Sequence, residues 1–169
     1  MLLVGEENGL TAEQAHRLHA LAPSVDSMAR ELAAFGIPET VQHDDLHSNN
    51  VLVRNGRTLV FDWGDSSVSH PFLSLLVLLR GAARDLKAEP ESNIVRAVRA
   101  AYLGAWSLPL SESDLNRACI LADALGRISR ALTWHRLAAG LEPAYRAEHR
   151  TYVTGWLEEL LESPAVLGR

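Results

Sequence analysis

Residues 43–50 read His43-Asp44-Asp45-Leu46-His47-Ser48-Asn49-Asn50, and Asp62-Trp63-Gly64-Asp65 follows a short way on. Three of these side chains are the oxygen donors that phosphoryl transfer requires. One carboxylate must sit beside an acceptor hydroxyl, orient it and take its proton, and further oxygens must hold the Mg²⁺ that neutralises the phosphates. Asp45 would be the acceptor-side carboxylate, and Asn50 with Asp62 would hold the metal. His43, Asp45, His47 and Asp62 also allow a different chemistry, that of a metal-dependent hydrolase, since alternating ligands on an extended segment suit a transition metal. That second chemistry leaves Asn50 and the Asp-Trp-Gly turn without a role. Taken singly, Asp and Asn are common loop caps.

The elements around these residues explain how they would meet. Val51-Leu52-Val53 and Thr58-Leu59-Val60-Phe61 flank Asn55-Gly56, a strong hairpin signal. Asn50 opens one strand and Asp62 follows the other. The hairpin therefore predicts the two metal ligands about one strand spacing apart, ~5 Å. Before the loop, Thr11-Ala12-Glu13-Gln14 reads as a capping box opening a helix that Pro23 closes. A second helix is predicted from Ser24 to Phe35, with Gly36 just past its end. After the turn the pattern is helical over roughly 71–85, 92–106, 112–138 and 143–162, with Ser111 or Ser113 capping the third. Tyr145, Tyr152 and Trp156 fall on one face of the last helix and are expected in the core.

His43–Asn50 fits H-x-D-L-x-x-x-N, and Asp62-Trp63-Gly64 is similar to a D-F-G metal turn. With His47 as the second histidine and Asp65 as a later acid, residues 38–85 resemble the aminoglycoside phosphotransferase/choline kinase-like family. His70-Pro71-Phe72-Leu73-Ser74-Leu75 resembles its P-x-x-D-L segment. The resemblance implies a mainly α (α+β) fold: a helical, kinase-like C-terminal lobe with a small hairpin between catalytic loop and metal turn. It implies Mg²⁺, ATP or GTP as co-substrate, and a small-molecule hydroxyl acceptor such as an aminoglycoside, an amino alcohol or a sugar. His43, His47 and Asp65 would support the site. His43 is read as bonding the backbone of the loop or turn, and Asp65 as helper ligand or helix cap.

Two positions depart from the pattern. Asp44 stands where the family loop carries Gly, and Ser74 where it carries Asp. The nucleotide-clamping lobe is also missing from the pattern. Only helical sequence precedes His43, Gly5–Gly9 is no phosphate loop, and the sole lysine, Lys87, lies after the metal turn. One domain over 1–169 is expected, a truncated or partial enzyme, with a non-catalytic kinase-like binding module as the alternative. The surface left by the absent lobe would suit a homodimer.

Composition narrows the classes further. Lys+Arg is 16 against 21 Asp+Glu, a net charge of −5, which disfavours nucleic acid as a partner. The single cysteine, Cys119, excludes an internal disulfide. No apolar run approaches the ~20 residues of a membrane span. The start turns acidic at once, unlike a signal peptide. No membrane partner and a cytoplasmic location are expected.

Overall fold

The computed structural model describes residues 4–5, 7–106 and 108–168. The fold is mainly helical with two small sheets, the α+β class that the sequence implies. Two compact units divide the chain, one made of the residues up to Phe35 and from Arg117 onward, the other of Gly36–Asn116.

In the first unit, α1 (Ala12–Ala20) opens on the expected capping box, with Thr11 and Gln14 each accepting the other's backbone N–H. α2 spans Ala22–Ala34. Pro23 therefore lies in its first turn and opens this helix rather than closing the one before. No N–H is needed there, and the ring's fixed φ suits the position. Gly36 (φ 69) takes the left-handed place just past the end. α5 (Glu112–Ala139), which begins at the edge of the second unit, has Ser111 accepting from the Asp114 N–H. α6 (Pro143–Leu161) and the short α7 (Pro164–Leu167) follow. Leu32, Ala118, Leu121, Val153 and Leu160 are buried. Tyr145 (60% exposed) and Tyr152 (46%) are not, which corrects their expected place in the core. Tyr152 stacks on Trp134 at 4.4 Å instead, at the edge of the α5–α6 face. An aromatic residue at helical spacing reaches the core only where a neighbour covers it.

The second unit carries the polar cluster. β1 (Thr40–Gln42) pairs antiparallel with β4 (Ser67–Ser69). β2 (Val51–Arg54) and β3 (Arg57–Val60) form the predicted hairpin, with Asn55 and Gly56 both at positive φ as a two-residue turn demands. One 3₁₀ turn, Pro71–Leu73, leads into α3 (Ser74–Asp85), which packs on α4 (Asn93–Gly104). Phe72, Leu75, Leu76, Val95 and Leu103 are buried between them. Tyr102 of α4 donates its hydroxyl to the Pro71 carbonyl (2.7 Å), fixing the start of α3. Among the described residues, no helix is long and apolar enough to cross a membrane.

Candidate active site

β1 delivers the chain to the loop with Gln42 and His43 both buried. The next residue, Asp44, turns the chain at φ 59. This is a left-handed position, which accounts for a glycine there in similar loops; Asp is among the few side chains that tolerate it. The Asp44 carboxylate is itself buried and accepts the Ser67 hydroxyl from β4. Two adjacent acids, Asp44 and Asp45, are thus accommodated by turning one of them onto the β1–β4 sheet.

Asp45 is partly exposed, and its Oδ2 stands 3.4 Å from Nε2 of His47. Its backbone carbonyl accepts Nδ2 of Asn50 (3.0 Å). Asn50 ends one turn of 3₁₀ helix, Ser48–Asn50, and is buried. Because Nδ2 is committed to the loop, the other arm of the amide, Oδ1, is the end left for a cation. His47 Nε2 lies 3.5 Å from the same Nδ2, so this one nitrogen stands between the two residues and either accepts from Asn50 or donates to Asp45.

The hairpin carries the chain to the second half of the cluster. Val51 faces Val60, and the Phe61 N–H donates to the Asn50 carbonyl (3.1 Å). Phe61 is therefore opposite Asn50, and Asp62 comes one residue later. That residue adopts φ 63 and precedes the 3₁₀ turn Trp63–Asp65 without a side-chain cap bond. A loop-cap role for Asp62 is thus not realised. Nor does Asp65 cap the following helical segment: Nδ1 of His70 does, accepting from the Phe72 N–H (3.2 Å). Nε2 of His43 donates to the Phe61 carbonyl (2.8 Å), and its ring lies 4.8 Å from that of Trp63. The loop and the turn are joined at the residue before Asp62.

Three contacts at this site had little or no signal in the sequence. Ser74 donates its hydroxyl to Oε1 of Gln42 (2.7 Å), both being buried. A serine one residue into α3 thus braces the strand that feeds the loop, where the family pattern has an acid. Ser48 donates to Asp85 at the far end of the same helix. Asp85 is held below the usual carboxylate range, first by its bond from Arg84 and then by that from Ser48. Between them, Gly81 lets α3 approach the loop closely: a Cβ there would stand 3.0 Å from Cβ of His47. Since Cβ of His47 cannot rotate away, the loop backbone would have to move. Gly81→Ala is expected to lower stability by about 1 kcal/mol net, an overpacking cost of ~1–3 offset by ~1 from better helix propensity. A denaturant midpoint measures it, and an unchanged or raised midpoint contradicts the close fit.

Among the described residues, no group of three or more His, Cys, Asp and Glu side chains could hold a metal ion. A transition-metal hydrolase needs three protein ligands of that kind, so its proposed set of His43, Asp45, His47 and Asp62 lacks support. Mg²⁺ is less demanding. It keeps several waters and takes one or two protein carboxylates or amides plus substrate phosphates. Oxygen donors from Asn50 and Asp62 fit that chemistry.

A loop carrying Asp and Asn, followed across a hairpin by an Asp turn, is an arrangement suited to phosphoryl transfer. Residues 3–110 match the phosphotransferase enzyme family (APH), more than half of the chain, and the chain belongs to that family. No curated protein and no solved structure matches it with significance.

Proposed function

We propose that this chain is the metal- and acceptor-binding part of a small-molecule kinase, a kinase-like C-terminal lobe. It would transfer the γ-phosphate of ATP or GTP to a hydroxyl of an aminoglycoside, an amino alcohol or a sugar. The observation that supports this reading is the pairing at the open end of the hairpin: the Phe61 N–H donates to the Asn50 carbonyl (3.1 Å), and Asp62 follows Phe61 directly, so the two candidate metal ligands come to the same end of the hairpin.

Asp45 orients the acceptor hydroxyl and takes its proton as the oxygen attacks the γ-phosphorus. The bond from that phosphorus to the β–γ bridging oxygen breaks, and the nucleoside diphosphate leaves with the electron pair. Asn50 Oδ1 and the Asp62 carboxylate would hold Mg²⁺, which when bound neutralises charge on the phosphates. His43 keeps the turn against the loop through the Phe61 carbonyl, and His47 stands between Asp45 and Asn50 with its Nε2 in reach of either. Asp65 is a supporting acid on the turn that follows Asp62.

Calorimetric titration of Mg²⁺-ATP and Mg²⁺-GTP into the chain tests the reading. Saturable binding that requires Mg²⁺ and disappears in Asp62→Asn is expected. Absence of binding at millimolar nucleotide, or binding that Asp62→Asn leaves intact, overturns it.

A further inference from the structure

The second unit holds an open cavity of about 220 Å³. Leu46, Val60, Trp63, Tyr102 and Trp106 line it together with His43. Neither Asp45 nor Asp62 does, and no lining residue carries a carboxylate, an ammonium or a guanidinium group. Three features define what such a cavity can take.

The first is shape. His43 and Trp63 tilt against each other at 4.8 Å, and Tyr102 and Trp106 at 6.3 Å, so two ring pairs border one space. The second is the state of the polar ends. The indole N–H of Trp63 donates to the Val60 carbonyl (3.0 Å) and the Tyr102 hydroxyl to the Pro71 carbonyl (2.7 Å). Gln42, also in the wall, is bonded through its nitrogen to Thr40 and through its oxygen to Ser74. Nδ1 of His43 has no hydrogen-bond partner but is shut off from the surface. What the cavity offers a ligand is chiefly ring faces and aliphatic surface, with the indole N–H of Trp106 as a polar group of its wall. The third is size. An apolar cavity of about 150 Å³ suffices for benzene, so this one has room for one or two fused rings.

We propose that this cavity is a binding site for a small, flat aromatic molecule without negative charge, independent of the metal site. An anionic ligand would lose hydration there and meet no positive charge, only the negative faces of the rings. An aromatic ring would gain offset or edge contacts with Trp63, Tyr102 and Trp106. The site borders the metal turn, because Trp63 follows Asp62 directly.

Indole is the probe, titrated into the whole chain and followed by ligand-observed NMR, with no nucleotide or metal present. Saturable binding at about 1 mM or tighter is expected. Trp106→Ala should weaken it about tenfold, since one ring pair is lost. Val60→Trp, which fills the mouth from a half-exposed strand position, should block it while leaving the aromatic wall in place. Benzoate, a ring with a negative charge, should bind at least tenfold more weakly than indole. No saturation by ~10 mM overturns the site. So does indole binding that survives both substitutions, and binding of benzoate as tight as that of indole overturns the ligand class. Because neither metal nor nucleotide enters this assay, its failure is distinct from failure of the kinase reading.

Discussion

Asp45→Asn is expected to lower phosphoryl transfer about 10²–10⁴-fold, the usual contribution of a positioned general base, while nucleotide binding stays nearly unchanged. The loop gives the reason for this separation. Asp45 holds the loop through its backbone carbonyl, which accepts Asn50 Nδ2, and that bond survives any side-chain change. Asparagine has almost the same shape, so His47 keeps its neighbour. What is lost is the capacity to take a proton. Asp62→Asn differs in kind, because it removes negative charge from the cation's position and should abolish Mg²⁺-dependent binding itself. Release of nucleoside diphosphate with each acceptor class, measured beside the calorimetric titration, distinguishes the two. Transfer by Asp45→Asn within about tenfold of the parent chain removes Asp45 from the acceptor role. Loss of nucleotide binding in the same variant would assign it to the metal instead.

The parts of this architecture that the sequence announces are those encoded by neighbouring residues. Asn55-Gly56 between two apolar runs encodes the hairpin, because both turn residues must adopt positive φ. Thr11 and Gln14 encode the start of α1 as a reciprocal pair, and Ser92 caps α4 by accepting the Val95 N–H alone. The loop residues are legible because their order is fixed along one short stretch. Contacts between distant segments leave weaker marks. The β1–β4 pair joins two three-residue strands, Thr-Val-Gln and Ser-Val-Ser, too short and too polar for a hydrophobic period to register. Gly81 is one glycine within an apolar helix, and only the packing of α3 reveals that His47 lies against it. The serine at position 74 departs from the family's acid, yet it still reaches Gln42 across 32 residues. Burial is the least legible of all: Tyr145 has helical spacing with core residues but lies beyond the edge of the face that is covered.

His70 gives the chain an acid-sensitive stability. The ring is buried, with Nδ1 accepting the Phe72 N–H and Nε2 lacking a hydrogen-bond partner. Protonation would place a second proton on Nδ1, facing an N–H that already points there, and would leave a charge in a desolvated site. Burial accordingly pushes the imidazole down to about 4. In the unfolded chain it titrates near the ordinary value of about 6.5. Between these two values the unfolded state binds a proton that the folded state refuses, so stability falls as pH falls through this window. Above the window the ring is neutral in both states, and below it both are charged, so the loss is confined to the interval. Its full size is about 3 kcal/mol. His70→Asn retains an acceptor for the Phe72 N–H, since asparagine caps well, but carries no titrating ring. Denaturant unfolding at a series of pH values should therefore show the parent chain losing stability below about pH 6.5 relative to His70→Asn. Acids such as Asp85 and Glu31, each held low by an arginine partner, lose their contribution at lower pH in both chains and cancel in the difference. Parallel pH profiles for the two chains would mean that the His70 ring is solvated in the native state.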